Sequence, residues 1–385
     1  MDRRKMIQTL LFSNKTKLVG ILFCFSLFTA GVIVNGVGIL SPAYLSLAFV
    51  SLAIIIFSKS LKSKYLQENL IFFLLADWFF LEIFINPTGD IKTGLFLIVT
   101  SLSYPIFDLF CKKIKIEDLK KYSIKYIHFV ILLYLFELSI RLVRCNFSFS
   151  SLTDPMFFAR LFYLYKENLI IGGGDTNFIA THLLITFFFA FYLNRRFQVK
   201  LGKELLVLVF LLFFAFSRAG WLSVVFGTVS LSFIHKRNRN KISLFRLEIM
   251  MFLILIVLVF LFSALSYDGS FETKIEIWTL TLDFLKNASL RDLLLGLGFL
   301  NSIQVVKFNV AHTLISTLIM DTGLISLFLY FSCWIPVLKQ SRGFALYILI
   351  PIFIFALSFI QQMIPYLYIT LAIISNLEQK KCCQL

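Results

Sequence analysis

Two polar side chains lie where the chain passes between apolar segments, and both could do chemistry. Arg218 lies in the compact stretch Ser217-Arg218-Ala219-Gly220, and His312 directly precedes a long apolar run. A guanidinium stays charged and matches the geometry of a phosphate, whereas an imidazole can accept a proton from a hydroxyl or contact an anion. Ionisable side chains within membrane segments are rare and mark functional sites. The pattern therefore predicts a site that binds an anion and activates a hydroxyl; a snorkelling arginine and an ordinary helix-start histidine are the alternatives.

The composition shows what surrounds these two residues. Hydrophobic residues make up 59% of the 385 residues and charged residues 15%, against roughly 25% charged residues in soluble domains. The mean hydropathy is +0.87. Apolar runs long enough to cross a bilayer recur along the whole chain, and we expect one all-α integral membrane domain, residues 1–385, with about twelve transmembrane helices. The spans are predicted near 18–36, 38–58, 69–87, 93–111, 123–143, 177–194, 204–217, 220–235, 247–266, 314–335, 344–361 and 364–377.

The net charge of +16 is concentrated in alternate loops between these spans. Loops rich in Lys and Arg stay in the cytoplasm, and both termini are therefore predicted to be cytoplasmic. The basic loops are expected to lie near anionic lipid headgroups. This distribution does not favour nucleic acid as a partner.

Most connections predicted on the outer face are short, but the loops at about 144–176 and 267–311 are long. Long loops in compact proteins are usually lids or binding segments. Each contains an apolar pattern typical of a helix, at 157–165 and 275–285. Both carry cations on the side where cations are selected against, which favours an anionic ligand such as a phosphate or diphosphate; solvated loop charges are the alternative. The candidate phosphate-binding residues are Arg160, Lys166, Lys274 and Arg291.

Four further residues are candidates for positioning these groups. Gly220 lets backbone or a ligand approach closely. Asp175 follows three glycines and lies where the N-cap of the next helix is expected. Asp321 lies near the opposite face of its helix from His312, unless the helix breaks at Gly323. We therefore assign Asp321 a packing or hinge role as readily as a chemical one.

Other ionisable residues lie within the predicted spans. Glu137 and Arg141 are four residues apart on one helix, and their spacing predicts an ion pair. Asp77 and Glu82 are equally compatible with structural hydrogen bonds and with the lining of a cavity, and His182 is a weaker candidate for a cavity wall.

Neither a metal site nor a disulfide is expected. Only Cys145 of the six cysteines falls in a predicted outer loop, and no spacing is typical of a zinc site. The run Gly172-Gly173-Gly174 follows no predicted strand and lacks the lysine of a nucleotide-binding loop, so no cofactor is indicated. No pair of carboxylates has a spacing typical of glycosidases, which disfavours hydrolysis.

Several short motifs follow one another in an order that is typical of one family. They are Gly174-Asp175-Thr176-Asn177, Ser217-Arg218-Ala219-Gly220-Trp221-Leu222, Lys274-Ile275-Glu276-Ile277-Trp278, Leu295-Gly296-Leu297-Gly298-Phe299, Ala311-His312-Thr313 and Asp321-Thr322-Gly323-Leu324-Ile325. By their order and approximate spacing over residues 170–330, the chain resembles the superfamily of O-antigen polymerases and O-antigen ligases. It departs from the family at Lys274, where an arginine is frequent, and at Thr313, where an asparagine commonly follows the histidine.

The resemblance implies a GT-C-like glycosyltransferase in the bacterial inner membrane. Such an enzyme works at the periplasmic face without metal or another cofactor, and its donor is a glycan linked to undecaprenyl diphosphate. By the same resemblance Arg218 would bind the diphosphate, His312 would orient or deprotonate the acceptor hydroxyl, and the larger outer loop would cover the site. A chain-length regulator and a flippase would be partners.

Three functions stay open at this point. The first is a polymerase, which transfers the growing polymer from its lipid diphosphate onto a new lipid-linked repeat unit; the two departures and the sparse basic content of the outer loops favour it. The second is a ligase that transfers the polymer onto lipid A–core. The third, a flippase or another transporter, would show internal repeats and charges at mid-membrane, whereas the polar residues here concentrate in two outer loops.

Overall fold

The computed structural model describes residues 20–34, 41–58, 63–144, 169–171, 175–234, 269–306, 313–357 and 364–383. Within these ranges the chain is helical, and the β structure consists of an isolated antiparallel bridge between Val34 and Ile171. The all-α prediction is therefore confirmed for the part of the chain that the structure describes.

The helices are named here in chain order. They are α1 (Gly20–Thr29), α2 (Pro42–Ser58), α3 (Ser63–Glu68), α4 (Leu70–Ile85), α5 (Ile91–Lys113), α6 (Ile116–Arg144), α7 (Thr176–Phe197), α8 (Gly202–Phe214), α9 (Arg218–Ile234), α10 (Gly269–Asn287), α11 (Leu290–Leu295), α12 (Ile303–Val306), α13 (Leu314–Ser332), α14 (Trp334–Gln340), α15 (Leu346–Ala356) and α16 (Pro365–Cys382).

Apolar helices long enough to cross a membrane are the main feature of the fold. By length and composition, the described residues contain four: α5, α6, α7, and α13 continued into α14. A described helix also overlaps each of the other predicted spans except 247–266, which is outside the described residues. The part of the chain that the structure describes is thus all-α and has long apolar helices consistent with a membrane-embedded protein, whereas the number of spans stays a prediction.

The last helix, α16, lies at the centre of the bundle. Every residue from Pro365 to Glu378 is buried, and the helix packs against α5. Two of its buried polar side chains pair with neighbouring helices: Asn376 Nδ2 donates to Asp108 Oδ1 at 2.7 Å, and Glu378 forms an ion pair with Arg196 at 2.8 Å.

A buried histidine connects α6 with α7. The hydroxyl of Tyr126 lies 2.8 Å from Nε2 of His182, and the hydroxyl of Tyr134 lies 2.9 Å from Nδ1. One hydroxyl therefore donates and the other accepts, whichever nitrogen carries the proton. Because the ring is completely buried and Gly31 packs directly against it, His182 belongs to the packed core and not to an accessible cavity wall.

Two predictions about carboxylates in the spans have clear outcomes. The expected ion pair between Glu137 and Arg141 is confirmed: the charged atoms lie 2.8 Å apart and both side chains are buried. Glu82 is also buried and accepts a hydrogen bond from Asn86 Nδ2. Of the two roles considered for Glu82, this contact is the structural hydrogen bond. Asp77 is exposed.

Candidate functional site

Arg218 is the first residue of α9, directly after a tight break in the chain. Helix α8 ends at Phe214 and α9 begins at Arg218, which agrees with the short break expected from the sequence. Phe216 has a φ of 49°, a left-handed conformation that is uncommon for a residue other than glycine. The break turns the chain sharply and leaves Arg218 half-buried at the start of the new helix.

Lys274 lies within electrostatic range of Arg218. It is on α10, which confirms the helix expected at 275–285, and its side chain is half-buried. Burial lowers the pKa of Lys274 below its ordinary value, the positive charge of Arg218 lowers it further, and the carboxylate of Asp175 acts in the opposite direction. These couplings bring together three groups from three separate segments: two cations and one carboxylate.

Asp175 also begins α7, as its sequence position suggests. Its Oδ1 accepts a hydrogen bond from the backbone N–H of Asn177 at 2.9 Å, which satisfies one of the donors left open at a helix start. The positive ends of α7 and α9 therefore lie beside the two cations. Helix N-termini attract anions through their free N–H groups and the helix dipole, and both effects favour a phosphate here.

Asn177 and Ser217 join the starts of α7 and α9. Ser217 Oγ donates to Asn177 Oδ1 at 2.8 Å and accepts from the backbone N–H of Gly220 at 3.3 Å. A Cβ added to Gly220 would lie 3.3 Å from Cβ of Ala180, which explains why a small residue stands at this contact between the two helices. The sequence analysis assigned no role to Asn177 or Ser217. The sequence features that could have indicated them are an asparagine in the first turn of a predicted helix and a serine directly before the candidate arginine.

The helix that carries Lys274 is fastened to the bundle by a small apolar cluster. Ile277 of α10, Val306 of α12 and Met320 of α13 are buried against one another. Because Ile277 lies one helical turn from Lys274, this cluster anchors the part of α10 that carries the lysine. The position of Lys274 therefore depends on α13.

Helix α13 is interrupted at Gly323, and the segment after α11 packs into the interruption. Gly323 has φ 75° and ψ 174°. The backbone N–H groups of Leu297 and Gly298 donate to the carbonyls of Met320 and Asp321 at 2.8 and 2.9 Å. Non-helical backbone at membrane depth persists where protein satisfies its polar groups, and this segment does so.

Asp321 holds the same segment with its side chain. Its Oδ1 accepts a hydrogen bond from the backbone N–H of Ser302 at 2.8 Å, and the carboxylate is buried. The helix break at Gly323, which was the condition for Asp321 to approach His312, is present, whereas His312 itself lies outside the described residues. The described contacts of Asp321 are those of a positioning residue.

Arg291 is placed differently from Arg218 and Lys274. Its Nη2 lies 3.1 Å from Asn86 Oδ1 and 3.4 Å from the carbonyl of Ile85, and its Nη1 lies 3.6 Å from Asp292. These contacts attach α11 to the end of α4. The side chain is 59% exposed, and its role as a phosphate-binding residue stays a prediction.

Three of the candidate residues, Arg160, Lys166 and His312, lie outside the described residues. The helix after His312 does begin where expected: Thr313 is the N-cap of α13, and its side chain accepts from the backbone N–H of Ser316. Among the described residues, no group of three or more His, Cys, Asp or Glu side chains could hold a metal ion.

Comparison with known proteins adds no identification: no protein-family model matches the sequence, and no curated protein matches it.

Proposed function

We propose that the chain is a membrane glycosyltransferase that polymerises a bacterial surface polysaccharide such as O-antigen. It would transfer a glycan from its lipid diphosphate onto a lipid-linked repeat unit. The proposal includes the finer features implied by the resemblance: about twelve spans, a GT-C-like fold, a place in the inner membrane with both termini cytoplasmic, and a site at the periplasmic face.

The observation that carries this proposal is the proximity of Arg218 and Lys274 beside Asp175. The positive charges of Arg218 and Lys274 act on each other, and the starts of α7 and α9 add positive potential. A diphosphate is the ligand that best matches two cations and two helix N-termini, because it presents several anionic oxygens along a short chain.

The reaction would follow from this placement. The acceptor hydroxyl oxygen forms a bond to the anomeric carbon of the donor sugar, and the bond between that carbon and the diphosphate oxygen breaks. Negative charge grows on the departing diphosphate, and fixed cations aimed at it lower the barrier. Arg218 and Lys274 would stabilise that charge, and His312 would take the proton of the hydroxyl.

A strain that lacks this gene, complemented with variants, tests the function. Wild type should restore a ladder of polymerised lipopolysaccharide on a gel, whereas Arg218→Ala, Lys274→Ala and His312→Ala should leave core that carries one repeat unit. The matched control is Lys286→Ala, because Lys286 is an exposed lysine on the same helix as Lys274, and it should restore the ladder.

Other gel patterns would contradict the proposal. Core without any repeat in the deletion strain would identify a ligase instead, or a flippase if the lipid-linked units accumulate inside the cell. A normal ladder from Arg218→Ala, with the variant present in the membrane at wild-type amount, would remove Arg218 from the mechanism.

A further inference from the structure

We infer that Asn177 is a positioning residue for Arg218 and acts on it through Ser217. The inference rests on the proposed function, in which Arg218 binds the diphosphate of the donor. It concerns how the protein fixes the direction of that guanidinium.

The break before Arg218 is short and contains a residue in an uncommon backbone conformation. Only residues 215–217 separate α8 from α9, and Phe216 lies in the left-handed region with a φ of 49°. A non-glycine residue stays in that region only when its surroundings hold it there. The direction in which Arg218 leaves the break therefore depends on contacts made by its neighbours.

Ser217 makes two of these contacts. Its side chain is almost completely buried, donates to Asn177 Oδ1 at 2.8 Å, and accepts from the N–H of Gly220 at 3.3 Å. The second bond caps α9, and the first ties the capped helix start to α7. Ser217 is thus bonded both to α7 and to α9. Because Arg218 directly follows Ser217, these two bonds also fix where the Arg218 backbone begins.

Asn177 is a rigid partner for this bond. Its backbone N–H donates to Asp175 Oδ1 at 2.9 Å, and its carbonyl accepts from Thr181 Oγ1 at 2.6 Å. Both backbone polar groups of Asn177 are therefore fixed by side chains of its own helix. Asp175, the N-cap of the same helix, also acts electrostatically on Lys274.

Loss of the Asn177 amide would act on Arg218 more than on the fold. The buried Ser217 hydroxyl would lose its acceptor and could turn away from Gly220, which would loosen the first turn of α9. A displacement of about 1 Å at a binding group can change function by up to about a hundredfold. Most of the helix contacts in α7 and α9 would be unaffected.

The test is a cycle of variants in the full-length protein in nanodiscs, with undecaprenyl diphosphate as the probe. Asn177→Ala should weaken binding roughly tenfold, the size expected for one buried hydrogen bond. In an Arg218→Ala background the same change should weaken binding no further, because residues that act through one group are not additive. Ser217→Ala should weaken binding at least as much as Asn177→Ala, because it also removes the cap of α9, and the two changes together should be no worse than Ser217→Ala alone.

The matched control is Asn194→Ala, because Asn194 is a half-buried asparagine of the same helix, near its other end. It should bind the probe as the wild type does. Thermal unfolding of each variant separates a loss of binding from a loss of fold.

Each outcome decides the matter. Wild-type binding by Asn177→Ala, or an equal loss with and without Arg218, would overturn the positioning role and leave the proposed function intact. Wild-type binding by Arg218→Ala would overturn the diphosphate assignment itself, and the positioning role with it. Weaker binding that depends on Arg218 would establish the role.

Discussion

Arg218 and Lys274 come from distant parts of the chain, yet their charges act on each other. Two like charges in a partly buried place destabilise the fold unless an anion or a carboxylate compensates them. Asp175 compensates one charge in part. A cation whose pKa is lowered by burial and by a specific charged neighbour, as that of Lys274 is, is a candidate for a functional site.

The pH dependence of ligand binding should report this residue directly. As pH rises through the lowered pKa of Lys274, the ammonium loses its charge, and binding of undecaprenyl diphosphate should weaken at a lower pH than for an ordinary lysine. Lys274→Arg should bind the lipid to higher pH, since a guanidinium stays charged, and Lys274→Gln should bind weakly throughout. Affinity measured from pH 7 to 10 checks this, and identical profiles for wild type and Lys274→Arg would contradict it.

Residue type and placement in the sequence were enough to select Arg218 and Lys274 as cations in unusual positions. Their proximity could not be predicted, because it depends on how α10 docks on α13 through Ile277 and Met320. The bond between Asn177 and Ser217 was missed for the same reason: it joins two helix starts that are forty residues apart in the sequence.

At the scale of helices and loops, the joint between α13 and the segment after α11 positions the helix that carries Lys274. Gly323 and Gly296 both have positive φ, and each packs against the backbone of the other segment. A side chain at Gly323 would overlap the carbonyl of Leu294. The sequence left open whether the helix breaks at Gly323, because a glycine within an apolar run is also compatible with a continuous helix.

Gly323→Ala should therefore destabilise the protein by about 2 kcal/mol or more, because alanine is strained at this φ and ψ and its methyl group overlaps a carbonyl. The matched control is Gly202→Ala at the start of α8, where an added Cβ has open space around it. Thermal unfolding in detergent checks both variants. Equal unfolding temperatures for Gly323→Ala and wild type would show that the joint does not constrain α13.

At the scale of the whole molecule, apolar runs predicted the helices well because a membrane requires long apolar segments. They did not predict which helix lies at the centre. Asn376 and Glu378, at the end of the last apolar run, are buried against Asp108 and Arg196. Burial of a polar residue depends on its partner, and partners from other helices are not visible in a single segment.

The predicted topology places Cys145 outside and the tail cysteines inside, which labelling can test. A membrane-impermeant maleimide applied to intact cells should label a variant that keeps only Cys145. A variant that keeps only Cys383 should be labelled only after the cells are permeabilised. Cys383 is exposed, so burial does not prevent its reaction. Labelling of Cys383 in intact cells would reverse the topology and place the start of α7 and Arg218 on the cytoplasmic side.

The central claim is that Arg218 and Lys274 form one site for the diphosphate of a lipid-linked glycan. The most direct measurement compares the binding of undecaprenyl diphosphate and undecaprenol to wild type, Arg218→Ala, Lys274→Ala and the double variant in nanodiscs. We expect wild type to prefer the diphosphate strongly, each single variant to lose roughly tenfold or more, as expected for a charged hydrogen bond, and the double variant to lose less than the two losses combined. Equal binding of both lipids by wild type, or undiminished preference in the double variant, would contradict the claim.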